Sequence, residues 1–271
     1  MKRQNIEPFF LDGPRGRLFC ILHRPVGAPL GGFLYLHPFA EEMHKSRRMA
    51  ALQSRRLAEL GYVVLQVDLT GCGDSWGDFG DSTWDIWKAD GLAAWNYLRQ
   101  HAPLPLKIWG LRIGATLAAD LSCELPDVSE LLLWQPVLSG ETFLTQFLRI
   151  RLAGDMLTDA GNQTGTKELR ARLQHGIALE VGGNMIGPMM AGSLDTLRLV
   201  DMKPPCPVMW IEVGSEATNQ PSPSSKRIID AWGAEGVTVK YGMVEGVAFW
   251  NAQEIVECAS LLDFTEKGVL G

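Results

Sequence analysis

The residue at the centre of Gly110-Leu111-Arg112-Ile113-Gly114 decides what chemistry this chain can do. Residues 106–121 (LKIWGLRIGATLAADL) read as a buried strand, a Gly-x-x-x-Gly turn and an apolar helix. A strained strand-to-helix turn of this kind can hold a serine, cysteine or aspartate nucleophile clear of its surroundings. Here the position carries arginine, whose guanidinium stays protonated at any working pH and cannot attack a carbonyl. At a helix N-terminus it offers something else, a fixed positive charge and a planar bidentate donor set in a place already favourable to anions. Two readings follow. Arg112 binds the carboxylate, phosphate or sugar acid of a ligand, or it is neutralised by local carboxylates and fills a vacated pocket.

Other reactive side chains are sparse. Cys72 could serve as a thiolate nucleophile if His37 stood beside it, although free cysteine is more often a small buried hydrophobe. Ser75 falls in a loop, where a serine commonly caps backbone amides. His37, Glu41 and His44 would share one helical face as metal ligands, but Pro38 pushes His37 out of the helical region and breaks that face. Gly71-x-Gly73 with Gly77 has one residue too many for a dinucleotide fingerprint, and no helix opens behind it. No phosphate-binding loop of Walker type occurs. No metal and no cofactor are expected.

The elements that must position these residues alternate between strand and helix, the pattern of a mostly parallel sheet covered on both faces. Strands are expected at 17–24, 32–37, 62–68, 106–110, 130–135, 207–213 and 237–241. A helix capped by Ser46 should stop at Gly61, and Asp81-Ser82-Thr83 should cap another over 84–101. Helices are also expected at 113–125, 224–235 and 250–265. Between 139 and 203 the rhythm changes to helical segments, 141–153 and 166–180, broken by the Gly-rich pieces 161–165 and 182–187. The expected division is a core of 1–138 and 204–271 with a helical cap insertion at 139–203.

Composition sets outer limits. The chain has 271 residues, 46% hydrophobic and 21% charged, which suits a globular protein with a sizeable core. A net charge of −6 and the lack of a basic stripe argue against nucleic-acid binding; Arg47-Arg48 and Arg55-Arg56 read as a solvated helix face. No apolar run approaches the roughly 18 residues of a membrane span, and the first residues lack the apolar core of a signal peptide. Five scattered cysteines without a C-x-x-C pattern fit reduced thiols and a cytoplasmic protein.

With these residues in view, the whole chain resembles the α/β-hydrolase superfamily. The resemblance is carried by His37-Pro38-Phe39, by Asp68-Leu69-Thr70-Gly71-Cys72-Gly73-Asp74-Ser75 and by Gly110-x-Arg112-x-Gly114. The longer strings LHPFAEEMHKSRR, VDLTGCGDSWGDF and GLRIGA are similar to the exosortase A system-associated hydrolase 2 family, whose members accompany exopolysaccharide and PEP-CTERM protein-sorting genes. The resemblance implies an α/β fold with about eight strands and a helical cap. It also implies a triad in the chain order nucleophile, acid, histidine. The nucleophile position falls on Arg112. The acid position offers Glu212 or Glu216, and the base position falls in 244–250 (VEGVAFW), where no histidine stands; the last one in the chain is His175.

Ordinary serine-hydrolase activity is therefore not expected. The ligand site implied is Arg112, Ile113, His37, Phe39, Glu41, Glu42 and Asp74. Burial of an unpaired guanidinium is costly, so a carboxylate should pair with Arg112, Glu42 or Glu41 first. Three functions stay open. The first is a non-hydrolytic protein that binds a small anionic or acyl-type ligand. The second is a hydrolase or acyltransferase acting on an ester, thioester or acyl-polysaccharide with displaced residues, Cys72 and His37. The third is an interaction protein that docks a partner in polymer export or protein sorting through the cap, where Met185, Met189 and Met190 could form an apolar patch.

Overall fold

A computed structural model describes residues 5–125, 127–157 and 165–270. The chain opens with an antiparallel pair, β1 (Asn5–Asp12) and β2 (Arg17–Arg24). Then come β3 (Gly31–Leu36), α1 (Ala40–Glu59), β4 (Tyr62–Val67), α2 (Trp84–His101), β5 (Leu106–Leu111), α3 (Ile113–Ser122) and β6 (Val128–Trp134). The chain next leaves the sheet for α4 (Gly140–Leu157), α5 (Thr166–Gln174), the small hairpin β7 (Leu179–Val181) and β8 (Asn184–Ile186), and α6 (Pro188–Thr196). It returns through β9 (Val208–Gly214), α7 (Pro223–Ala234), β10 (Val239–Glu245) and α8 (Ala259–Leu270).

Eight strands join in the order β1-β2-β4-β3-β5-β6-β9-β10. β2 meets β4 antiparallel, and from β4 to β10 every neighbour is parallel. This is the α/β-hydrolase fold. Every residue of β3 is buried, as a central parallel strand requires. Alternate side chains supply two cores. Leu34, Leu36 and Ile108 face α2, α3 and the helical insertion, while Phe33, Tyr35 and Trp109 face α1 and α8. Strand order reverses between β3 and β5, so the crevice beyond their carboxyl ends is where this topology places a ligand.

The insertion is pinched at its base. Ser139 bridges Arg198, Gly140 N–H donates to Leu197 O at 3.0 Å, and Leu199 N–H donates to Leu138 O at 3.1 Å. A ring of aromatic contacts ties it to the core: Phe39, at the end of the β3 loop, touches Phe143 and Phe147 of α4 at centroid distances of 5.0 and 5.1 Å.

Several boundaries differ from the sequence reading. Helix α1 begins at Ala40, not at Ser46, which is buried inside it. Glu41 and Glu42 suit the positive end of that helix, and Ala40 and Met43 extend its apolar face upstream. The segment 166–180 is helical only to Gln174. Gly176 then adopts φ 84°, and Gly182-Gly183, both left-handed, make the two-residue turn of the β7–β8 hairpin. Residues 161–164 of the Gly-rich piece lie outside the described residues. The last helix starts at Ala259, not 250, because Phe249 and Trp250 are buried as a turn after β10. Strand β1 went unforeseen, since it is an edge strand with mostly exposed residues. Thr83 does cap α2, accepting from Ile86 N–H at 3.2 Å. Of the three methionines read as an apolar patch, Met185 and Met189 are exposed but Met190 is fully buried. No helix among the described residues is long and apolar enough to cross a membrane.

Candidate functional site

The turn between β5 and α3 is a sharp elbow at a single residue. Arg112 has φ 57° and ψ −121°, a left-handed conformation that costs a branched or long side chain about 1 kcal/mol or more. Two glycines make the bend sterically feasible. A Cβ at Gly110 would lie 2.4 Å from Gly114 O, and one at Gly114 would lie 2.3 Å from Leu36 O, so the helix can sit this close to the strand ends only without side chains there. Backbone bonds hold the bend: Arg112 N–H donates to Trp134 O at 2.9 Å, and Arg112 O accepts from Ala115 N–H at 3.0 Å. The chain thus keeps the costly geometry that would present a nucleophile while presenting a guanidinium.

The guanidinium is paired on one edge. Arg112 Nε donates to Glu42 Oε1 at 3.1 Å. The other oxygen, Oε2, is buried and has no hydrogen-bond partner. Burial pushes the Glu42 carboxyl above the usual carboxylate range, and Arg112 offsets only part of that rise. Glu41 points elsewhere and faces Lys45 at 3.8 Å. Aromatic rings flank the cation, with Arg112 Cζ 5.5 Å from the Trp250 ring centroid and 5.9 Å from that of Phe143. Trp250 lies in 244–250, the stretch where the sequence resemblance implies a triad histidine.

Two cavities meet at Arg112. One, of about 380 Å³, is walled by aromatic Phe39, Phe143, Phe147 and Trp250, with Glu41, Glu42 and Lys45 at its polar side. The other, of about 530 Å³, lies across Phe143 and Gln146 and is bordered by Gln135, Thr142, Arg198 and Arg227. Both volumes fall in the range of small-molecule sites.

Of the residues assigned to a ligand site from the sequence, Arg112, Phe39, Glu41 and Glu42 line the first cavity. Ile113 follows at the start of α3, fully buried and outside both linings. His37 is buried beneath: its Nδ1 donates to Pro38 O at 2.5 Å, Nε2 accepts from Leu69 N–H at 3.1 Å, and burial lowers its pKa, all consistent with a neutral ring. Asp74 is exposed on the loop after β4, its N–H donating to Asp68 Oδ2 at 3.3 Å, and lines neither cavity.

Cys72 is buried and bonded by its N–H to Leu69 O at 2.9 Å. Burial pushes its thiol well up, and no described hydrogen bond joins it to His37, whose ring nitrogens are both taken. Ser75 Oγ donates to Asp68 O and accepts from Phe19 N–H, a loop brace. Glu212 is buried on β9 with Trp210 Nε1, Ser225 Oγ and Tyr241 OH donating to it at 3.0, 2.6 and 3.0 Å. Glu216 is exposed beyond β9 and lines neither cavity. No group of three or more His, Cys, Asp or Glu among the described residues could hold a metal ion. Sequence reasoning missed Trp250, Phe143, Gln146, Arg198 and Arg227. Only Trp250 had a signal, its place in the loop expected to carry the base.

No protein-family model matches the chain. An uncharacterized protein of Rickettsia prowazekii is 27% identical over 132 residues, covering 47% of this chain and 54% of that protein, so the match spans about half of each. Solved structures resemble it over almost their whole length. Est1E from Butyrivibrio proteoclasticus with ferulic acid bound has a TM-score of 0.74 at 16% identity, covering 97% of this chain and 98% of that one. An α/β serine hydrolase without a lid from Xanthomonas campestris gives 0.61 at 16% identity, covering 98% and 94%. An α/β serine hydrolase homologue from Coxiella burnetii gives 0.60 at 14%, covering 97% of each chain. These likenesses establish the fold.

Proposed function

We propose that this chain binds a small ligand with an anionic group and an apolar or aromatic body in the cleft at Arg112, and does not hydrolyse esters there. The observation that carries the reading is that Arg112, standing at the nucleophile elbow, does not fill the cleft but borders open space. One face of its guanidinium is engaged by Glu42, and its charge still reaches a chamber walled by aromatic rings. A carboxylate on the guanidinium with its body against Trp250, Phe143 and Phe147 uses both features. The resemblance of the sequence to exosortase-associated proteins would set such binding in polymer export or protein sorting.

Chemistry by the serine-hydrolase route lacks its parts. The nucleophile position is a cation, the stretch implied for the base holds no histidine, and Glu212 is spent on three donors inside the core. Cys72 does not replace the nucleophile, because it is buried and its thiol is shifted away from the thiolate.

Ferulic acid, bound to Est1E in the similar structure, is an aryl carboxylate and a fitting first probe. Titration followed by calorimetry should show saturable binding that weakens about tenfold or more in Arg112→Gln, as loss of a charge-assisted hydrogen bond implies. Short acyl esters should turn over no faster than with denatured protein, and Arg112→Ser should gain nothing, since no base stands beside it. Robust turnover by the wild-type protein, or ferulate binding indifferent to Arg112→Gln, would defeat the reading.

A second reading, docking of a protein partner through the insertion, draws on the exposure of Met185 and Met189 (43% and 70%). Charge substitution at both methionines should then abolish partner capture while leaving ferulate binding intact.

A further inference from the structure

The larger cavity has a charge make-up that the rest of the chain does not share. Acidic residues outnumber basic ones, 31 to 25. Yet the charged residues bordering this cavity are all arginines: Arg112, Arg198 and Arg227. Arg112 and Arg198 are each balanced by a carboxylate, Glu42 and Glu141, both at 3.1 Å. Arg227 has no ion pair among the described residues and stands exposed on α7. Ser224, in the first turn of the same helix, and Gln135, Ser139 and Thr142 add neutral hydrogen-bonding groups. The dipole of α7 reinforces the positive potential at that turn. A concave, carboxylate-free surface of this kind concentrates anions.

The two cavities adjoin. Arg112, Phe143 and Gln146 border both, so a ligand anchored on Arg112 in the aromatic chamber can extend past Phe143 and Gln146 into the arginine chamber. We propose that the natural ligand is an amphiphilic diacid, with its apolar body among the aromatic rings, one anionic group on Arg112 and a second on Arg227 in the adjoining cavity. The proposal rests on the reading of the Arg112 cleft as an anion site and adds the second charge. Arg227 supplies free donors and an unspent charge, whereas Arg198 gives donors to Asp195 O, Leu197 O and Glu141 and so walls the chamber.

The test compares probes that share a benzyl body. These are 3-phenylpropionate with one carboxylate, and 2-benzylsuccinate and 2-benzylglutarate with two at different spacings, titrated at low ionic strength above pH 7. At least one diacid should bind about tenfold tighter than the monoacid, the gain expected for one charge-assisted contact. Arg227→Gln should cut the diacid back to the affinity of the monoacid, and thermal denaturation should show the variant folded, since the residue is exposed. Raising salt should erode the advantage. If the monoacid binds through Arg112 but neither diacid gains, or the gain survives Arg227→Gln, the second-anion inference fails and the Arg112 site stands. If diacid binding depends on Arg227 and not on Arg112, the reading of the elbow fails. If none of the three binds, both fail.

Discussion

Glu42 and Glu212 both lie near the carboxyl ends of the central strands, and both are largely buried, yet they have opposite surroundings. Glu212 faces three donors, from Trp210, Ser225 and Tyr241, inside a closed layer between β9, β10 and α7. Glu42 has one hydrogen-bond partner among the described residues, Arg112, and its second oxygen is buried without one, on a residue that lines a cavity. The satisfied acid supports the fold. The unsatisfied one lines the cleft proposed as the ligand site.

Four measurements test that contrast. The largest effect should come from Glu212→Ala, which strands three donors in the core. Urea unfolding should show a loss of about 3 kcal/mol, and a loss below about 1 kcal/mol would mean that the cluster is not structural. Next, Trp250→Ala removes an aromatic wall and a ring beside the guanidinium. Ferulate should bind about tenfold more weakly, measured on protein that denaturation shows to be folded, since truncating this buried ring also costs stability, and an unchanged affinity would remove the aromatic chamber from the site.

Third, Glu42 competes with a ligand for Arg112 only while it is ionised. Its folded-state pKa is raised above the unfolded value, so in the window between them the folded chain holds the extra proton, and this contribution to stability is lost as pH rises. In binding the sign is the same. Anion affinity should increase as pH falls through the raised Glu42 pKa, until the ligand itself protonates near about 4. Glu42→Gln should tighten ferulate about fivefold at pH 8 and flatten the profile, since the effect is one of a nearby like charge. A profile unchanged by Glu42→Gln would sever the carboxylate from the site. Last and smallest, Cys72→Ala should cost about 1 kcal/mol of stability, as for a small buried side chain, and leave ferulate affinity as it was. A loss of affinity would bring Cys72 and His37 back into the site.

Much of the scaffold could be read before any coordinates. The continuous apolar run of β3, the mostly apolar β5, the Gly-x-Arg-x-Gly turn and Thr83 each carry a local signal strong enough to place an element. Boundaries failed where tertiary contacts outweighed local signals. Ser46 is a good capping residue type, but the acidic pair at Glu41 and Glu42 and the apolar Ala40 and Met43 start the helix earlier. Residues 250–258 lost their expected helix to the burial of Phe249 and Trp250. In the site, the sequence offers Glu42 or Glu41 as the partner of Arg112, because the pair follows the strand whose loop reaches the elbow in the fold that the resemblance implies; the structure pairs Glu42 and turns Glu41 to Lys45. Arg198 and Arg227 were invisible, being 86 and 115 residues from Arg112 (198 − 112 and 227 − 112) with no motif around them.

The sequence alone determined what Arg112 cannot do, since no folded environment turns a guanidinium into a nucleophile, and no histidine follows His175 to serve as base. It also determined the elbow, because two glycines flank a position where strand gives way to helix. What surrounds the cation is set by packing. Whether Glu42, Glu212 or Glu216 reaches it depends on where strands end in space, not in chain order. Whether the space beside it is filled or open depends on how α4 packs over the elbow. Chemistry is a property of single residues, but the two adjoining cavities are made by residues from six distant segments at once, and their convergence is fixed only when the core closes.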